Sequence, residues 1–185
     1  RTTVSVVSAN VAVLSDVVSR LQSAGFDYML TGSVAMNYYA EPRMTRDIDI
    51  VVALTDSDAD TIMDSFEGDY YLSRDAVVHA IRQHRIFNLV HYQSVVKVDL
   101  IVRKESEYRR EEFDRRQQIR VGDLVTWIVS KEDLILSKLS WAQDSRLELQ
   151  LNDVRNLLAS GSDRARRAAR SPASIIRSTA FEPGR

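Results

Sequence analysis

The stretch Asp47-Ile-Asp-Ile-Val-Val52 constrains this chain more than any other. Side chains along a strand alternate between its two faces. Ile48, Ile50 and Val52 therefore share one face, and Asp47 and Asp49 share the other. The β-branched face has to be covered by a core, which leaves two carboxylates side by side on the opposite face. Neighbouring carboxylates repel and are costly unless a cation lies between them. Hard oxygen ligands at this spacing suit Mg²⁺, which keeps several waters and takes phosphate oxygens as further ligands. The same pattern also fits a polar strand edge that binds nothing.

Helices and strands alternate around this segment. Val11, Leu14, Val17, Val18 and Leu21 recur at helical spacing and predict an amphipathic helix over 8–24, ended by Gly25. Tyr28 to Thr31 reads as a short buried strand, and Gly32-Ser33 opens a second helix that stops near Pro42. A helix with an acidic first turn is expected from Asp58 to Phe66, a short strand at 70–72, and a helix capped by Ser73 running to about Gln83. The β-rich runs 86–92 and 95–102 form a hairpin, and 119–121 with 125–129 a smaller one. The charged stretch 104–116 is expected to be a solvated helix or loop. Ser130-Lys-Glu-Asp133 resembles a capping box that starts a helix through Leu134 and Trp141. A last helix over about 146–158 carries Leu147, Leu151, Val154 and Leu158. This order predicts an α+β fold, a small mixed β-sheet flanked by helices with a C-terminal helical segment. The expected divisions are a core over 1–128, the helical segment 129–158 and a basic tail 159–185.

Composition removes several functions. The 185 residues include no Cys, so there is no disulfide framework, thiol nucleophile or cysteine zinc site. No apolar run approaches the roughly 20 residues that span a bilayer, and a soluble, cytoplasmic protein is expected. The net charge of −1 divides into −6 over residues 1–153 and +5 over 154–185. An acidic body is a poor general nucleic-acid binder, because phosphate contacts need clustered cations. The basic tail is a solvated appendage or an arm that contacts RNA.

Other residues add to the aspartate pair. Asp99 interrupts the apolar run Val95–Val102, where an unpaired carboxylate is expensive to bury. Lys97 shares its face and offers a salt bridge; alternatively, a third acid on the same sheet completes a carboxylate site for two metals. Gly32-Ser33, between a strand and a helix N-terminus, is either a turn with a cap or an anion site fit for phosphate. His79, His84 and His91 do not share a helical face and read as structural or surface residues. Tyr38 and Tyr39 read as core, with base stacking as the alternative.

Together, Leu30-Thr-Gly-Ser-Val-Ala-Met36, Arg43-Met-Thr-Arg-Asp-Ile-Asp-Ile50 and Lys97-Val-Asp-Leu100 resemble the nucleotidyltransferase superfamily of the polymerase-beta type. The Arg-x-Thr-x-Asp-Ile-Asp form and the run from Ser130 to Leu139 are similar, more narrowly, to bacterial nucleotidyltransferase-like proteins grouped with abortive-infection toxins. The resemblance runs from about residue 24 to 158. It implies Mg²⁺-dependent transfer of an NMP group from an NTP to an acceptor hydroxyl on RNA (tRNA included), a partner protein or a small molecule, in a toxin–antitoxin or phage-defence setting. It further implies that Gly32 and Ser33 hold the triphosphate and that Asp47 and Asp49 bind Mg²⁺. Asp99 would bind a second metal ion and help activate the acceptor. Lys138 would contact phosphate unless it merely snorkels along Leu134 and Trp141; Arg43 and Arg46 would neutralise the leaving pyrophosphate; Asp153 falls at a polar position of the last helix. A chain of this fold could instead be a catalytically silent nucleotide- or partner-binding module.

Overall fold

The computed structural model describes residues 6–42, 47–142 and 147–161. In chain order these form α1 (Val6–Ser23), β1 (Tyr28–Leu30), α2 (Gly32–Tyr39), β2 (Asp47–Val52), a 3₁₀ turn (Asp56–Asp58), α3 (Ala59–Phe66) and β3 (Tyr70–Tyr71). There follow α4 (Arg74–Gln83), β4 (Ile86–His91), β5 (Lys97–Val102), α5 (Glu107–Asp114), β6 (Gln117–Val121), β7 (Leu124–Ile128), α6 (Lys131–Ala142) and α7 (Leu147–Ala159). Arg43, Arg46 and the tail from residue 162 lie outside the described residues.

The fold is α+β, built on one mixed sheet of seven strands in the order β3-β4-β5-β2-β1-β7-β6. The sheet is larger than the sequence predicts because the smaller hairpin joins it. β6 and β7 pair antiparallel, and β7 docks parallel on β1 through Leu30 and Ile128. β2 runs antiparallel to β1 and parallel to β5, so the two aspartate-bearing strands are neighbours.

Period-two alternation fixes which face is core. Ile48, Ile50 and Val52 of β2, Val98, Leu100 and Val102 of β5, and Phe87 and Leu89 of β4 are all buried. Each such side chain contributes about 1.5–3 kcal/mol of apolar burial. On the same side, α1 packs on α3, α3 on α4, and α4 on β4. Tyr70 ties β3 into this layer, stacking edge-on against Phe66 and donating its hydroxyl to Asp16 at 2.7 Å. At the other end of the sheet, α6 and α7 pack on each other and on α2. Val129, Leu134 and Leu157 continue the same apolar core into these helices.

Two sequence expectations are refined here. The stretch 104–116 is a helix that is mostly exposed, as expected, but α5 also buries Glu112 and Phe113. The Phe113 ring lies under the guanidinium groups of Arg103 and Arg116, and Glu112 accepts from Arg109 and from the Ser137 hydroxyl. Charged partners, rather than an apolar stripe, hold this helix down. In α7, Leu157 is fully buried and Leu158 faces solvent. Tyr38 and Tyr39 are core, as expected, with the Tyr39 hydroxyl donating to the Val129 carbonyl at 2.8 Å. The histidines are scattered: His79 is exposed, His84 ends α4 in a left-handed conformation, and His91 hydrogen-bonds Ser94.

Candidate active site

The face of the sheet opposite the core is an ordered grid. Strand register sets Asp49 beside Asp99 and Asp99 beside Asn88, one row across β2, β5 and β4. The row on one side is Asp47, Lys97, Val90 and Tyr71; on the other it is Val51, Ile101 and Ile86. Asp47, Asp49 and Asp99 therefore project from the same face, and parallel pairing makes Asp49 and Asp99 direct neighbours. Asp47 sits at the exposed start of β2, whereas Asp49 and Asp99 are half-buried.

Gly32-Ser33 lies over this row. The Thr31 N–H donates to the Asp49 carbonyl at 3.0 Å, so the turn from β1 into α2 is stitched to β2 at that residue. Gly32 has φ +57°, where side-chain-bearing residues are strained. A Cβ there would overlap the Asp49 carboxylate, with Asp49 Cγ only 2.7 Å away. Glycine is thus required twice, by the backbone angle and by the close approach. The Ser33 main-chain N–H donates to the Asp49 carboxylate, so the open end of α2 is directed at this acid.

The electrostatics follow from the crowding. Burial, then the charge of Asp99, and more weakly that of Asp47, raise the Asp49 carboxyl from 3.8 to about 6; the Ser33 N–H and the Lys138 charge act in the opposite direction. Asp99 has other partners. Asn88 Nδ2 donates to Asp99 Oδ1 at 2.6 Å, and Lys97 Nζ lies 3.0 Å from Oδ1 and 3.2 Å from Oδ2.

Lys138 does not snorkel along α6. It is buried, with Nζ 2.6 Å from Asp153 Oδ2, while Trp141 points to solvent. Desolvation explains the pairing, since a buried ammonium needs a counter-charge. Sequence reading noted both residues without joining them. The missed signal was a Lys and an Asp at inward positions of two consecutive helices. Asn88 was missed altogether, although a polar residue in the apolar run of β4, facing Asp99 across the hairpin, was the clue.

The donor set that the register assembles is all oxygen, with one carboxyl disfavoured as an anion by burial and then by its carboxylate neighbour. That chemistry fits a hard divalent cation between Asp49 and Asp99, with Asp47 on the same face. Among the described residues, no three Asp, Glu or His side chains are gathered closely enough to hold a metal ion as they stand. No helix among them is long and apolar enough to cross a membrane.

No protein-family model and no curated protein matches this sequence. Solved structures do. An antigenic nucleotidyltransferase-like protein from Paracoccidioides brasiliensis is similar at 20% identity and TM-score 0.57, over 81% of this chain and 74% of its own. The lincomycin-bound lincosamide antibiotic adenylyltransferase LnuA is similar at 17% identity and TM-score 0.52, over 78% of this chain and 93% of its own. The antibiotic-resistance factor ANT(2'')-Ia is similar at 10% identity and TM-score 0.52, over 82% of this chain and 84% of its own. At these identities the likeness speaks to architecture, and the chain has the nucleotidyltransferase fold.

Proposed function

We propose that this protein transfers a nucleoside monophosphate from an NTP to an acceptor hydroxyl, with Asp47, Asp49 and Asp99 as the metal-holding carboxylates. The observation that carries this reading is the side-by-side placement of Asp49 and Asp99 beneath the Gly32-Ser33 turn. Adenylyl transfer by the lincosamide enzyme, a protein of the same fold, supports it.

Bound at these carboxylates, two Mg²⁺ ions would neutralise the triphosphate and ease deprotonation of the attacking hydroxyl. The chain's own groups do the rest. The Ser33 hydroxyl and the N–H groups at the start of α2 hold the triphosphate beside Gly32, with the Ser33 N–H shared between phosphate and Asp49. Asp99 orients the acceptor and takes its proton as the new bond to the α-phosphorus forms and the bond to pyrophosphate breaks. Lys138, buried and anchored by Asp153, adds positive charge near Asp49, and Arg43 and Arg46 serve the leaving pyrophosphate. An NTP donor is compatible with a cytoplasmic protein. A toxin–antitoxin or phage-defence role rests only on the resemblance of segments 43–49 and 130–139, and the acceptor within it is RNA, a protein or a small molecule.

The alternative, a nucleotide-binding module without catalysis, is favoured by one observation: Lys97 already neutralises Asp99. Label transfer from each of the four α-labelled NTPs, with Mg²⁺ and either total RNA or cell lysate, decides between them. Asp49→Asn and Asp99→Asn are each expected to lower transfer by roughly 100-fold or more, with circular dichroism unchanged. Wild type that binds Mg²⁺–NTP yet labels nothing supports the module, and transfer surviving both substitutions moves the chemistry elsewhere.

A further inference from the structure

The chemistry above leaves Lys97 without a task, although it is the cation nearest the carboxylate row among the described residues. Register puts Lys97 directly beside Asp47 on β2, and its position two residues before Asp99 on β5 puts both side chains on the open face. Its ammonium reaches along the strand and bridges both oxygens of Asp99, at 3.0 and 3.2 Å. Asn88 holds one of the same oxygens from the neighbouring strand at 2.6 Å. The Asp99 carboxylate is thus gripped from two sides by groups of different kinds. The amide sits on a short side chain fixed by the strand, and the ammonium on a long flexible one.

Resting on the proposed metal-dependent reading, we infer that Lys97 is the exchangeable counter-ion of Asp99. Its ammonium stands in for a cation while the site holds none and swings into solvent when a divalent cation binds. Asn88 is a positioning residue that keeps Asp99 in place through the exchange.

The physical argument is one of relative grip. The Lys97 side chain is 42% exposed and that of Asp99 16%, so the lysine can leave into water while the carboxylate stays. An ion pair with one exposed partner is weakened by water and salt and by the freedom that the long side chain loses. A divalent ion facing Asp49 and Asp99 together carries twice the charge and relieves the repulsion between them. The lysine is therefore strong enough to quiet the site and weak enough to yield. It sets the threshold of divalent cation at which the site fills.

The test measures cation affinity without catalysis. Mn²⁺ is titrated into wild type, Lys97→Met, Lys97→Arg and Lys97→Met/Asp99→Asn, with free Mn²⁺ followed by electron paramagnetic resonance. Removing the competitor is expected to tighten Mn²⁺ binding roughly two- to fivefold in Lys97→Met. Lys97→Arg should bind no more tightly than wild type, since it keeps the charge, and the gain should vanish when Asp99 is also replaced. Asn88→Ala should weaken binding in both the wild-type and the Lys97→Met background. Unchanged or weaker binding in Lys97→Met overturns the inference while leaving the metal-dependent reading intact. Failure of both wild type and Lys97→Met to bind Mn²⁺ overturns both.

Discussion

Strands β2, β4 and β5 have two faces made from alternate residues of the same three segments, and the faces differ in nearly every respect. One face, carrying Ile48, Ile50, Val98, Leu100, Phe87 and Leu89, is buried under helices and is apolar except for His91 at the end of β4, whose ring lies against Tyr70. The other carries Asp47, Asp49, Lys97, Asp99 and Asn88, flanked by the exposed apolar side chains Ile86, Tyr71 and Tyr92. The first face is specified by hydrophobic burial and has one good solution. The second keeps like charges adjacent and leaves large apolar groups in water, neither of which helps folding. The strands thus gain stability on one face and give part of it up on the other, where the reacting groups sit.

The sharpest way to break this comparison is to make the same change on both faces of one strand. Leu100 and Ile101 are consecutive in β5, one fully buried and one half-buried. Leu100→Ala is expected to cost about 2–5 kcal/mol, through lost transfer free energy and the cavity left behind. Ile101→Ala is expected to cost about 1 kcal/mol, because its surroundings are open and water can fill the space. Urea denaturation of the two variants gives both numbers. Equal losses would mean that both faces are packed and that the open face is not a reaction surface.

A second prediction concerns charge on the open face. The Asp49 carboxyl titrates at about 6 in the folded protein and at the ordinary 3.8 when unfolded. Between these values the folded state holds the proton more tightly, so stability falls as pH rises through this window. Below pH 4 there is no penalty, and above about pH 6 it is complete, amounting to about 3 kcal/mol at most. Metal-free Asp49→Asn should therefore be more stable than wild type at pH 7.5 by up to that amount, with the gap closing as pH falls to 4. Thermal melts in chelator across this range measure it. A gap that does not change with pH would place the cost of Asp49 in packing, not charge.

How legible these faces were in the sequence follows from the range of the forces involved. Period-two alternation is local, so Asp47, Asp49 and the core side of β2 could be assigned before any fold was known. Asp99 stood out because it breaks an apolar run, and Gly32 because it sits between a strand and a helix. What escaped notice depends on partners far along the chain. Asn88 meets Asp99 only through hairpin register, and Lys138 meets Asp153 only because α6 and α7 fold back on each other. The joining of β7 to β1 rests on a single parallel pairing between residues 30 and 128, which no local pattern announces. In α5, Phe113 is buried beneath arginines, so a densely charged sequence hid an inward-facing ring.

The smallest effect is the most direct check that the second face is open. Tyr71 and Tyr92 are 59% and 58% exposed at the β3 edge of the grid. Tyr71 pairs with Val90, and Tyr92 follows β4 with its N–H bonded to the Asp69 carbonyl at 3.0 Å. Neither backbone position depends on the ring, and the rings make little of the core. The double variant Tyr71→Ser/Tyr92→Ser should change stability by no more than about 0.5 kcal/mol, as surface substitutions usually do. If the acceptor approaches Asp99 over this edge, the same variant should raise the acceptor KM while the NTP KM and kcat hold. Chemical denaturation supplies the first measurement and steady-state transfer the second. A loss of about 2 kcal/mol or more would mean that both rings are covered in solution, and the contrast between a closed face and an open one would fail at that edge.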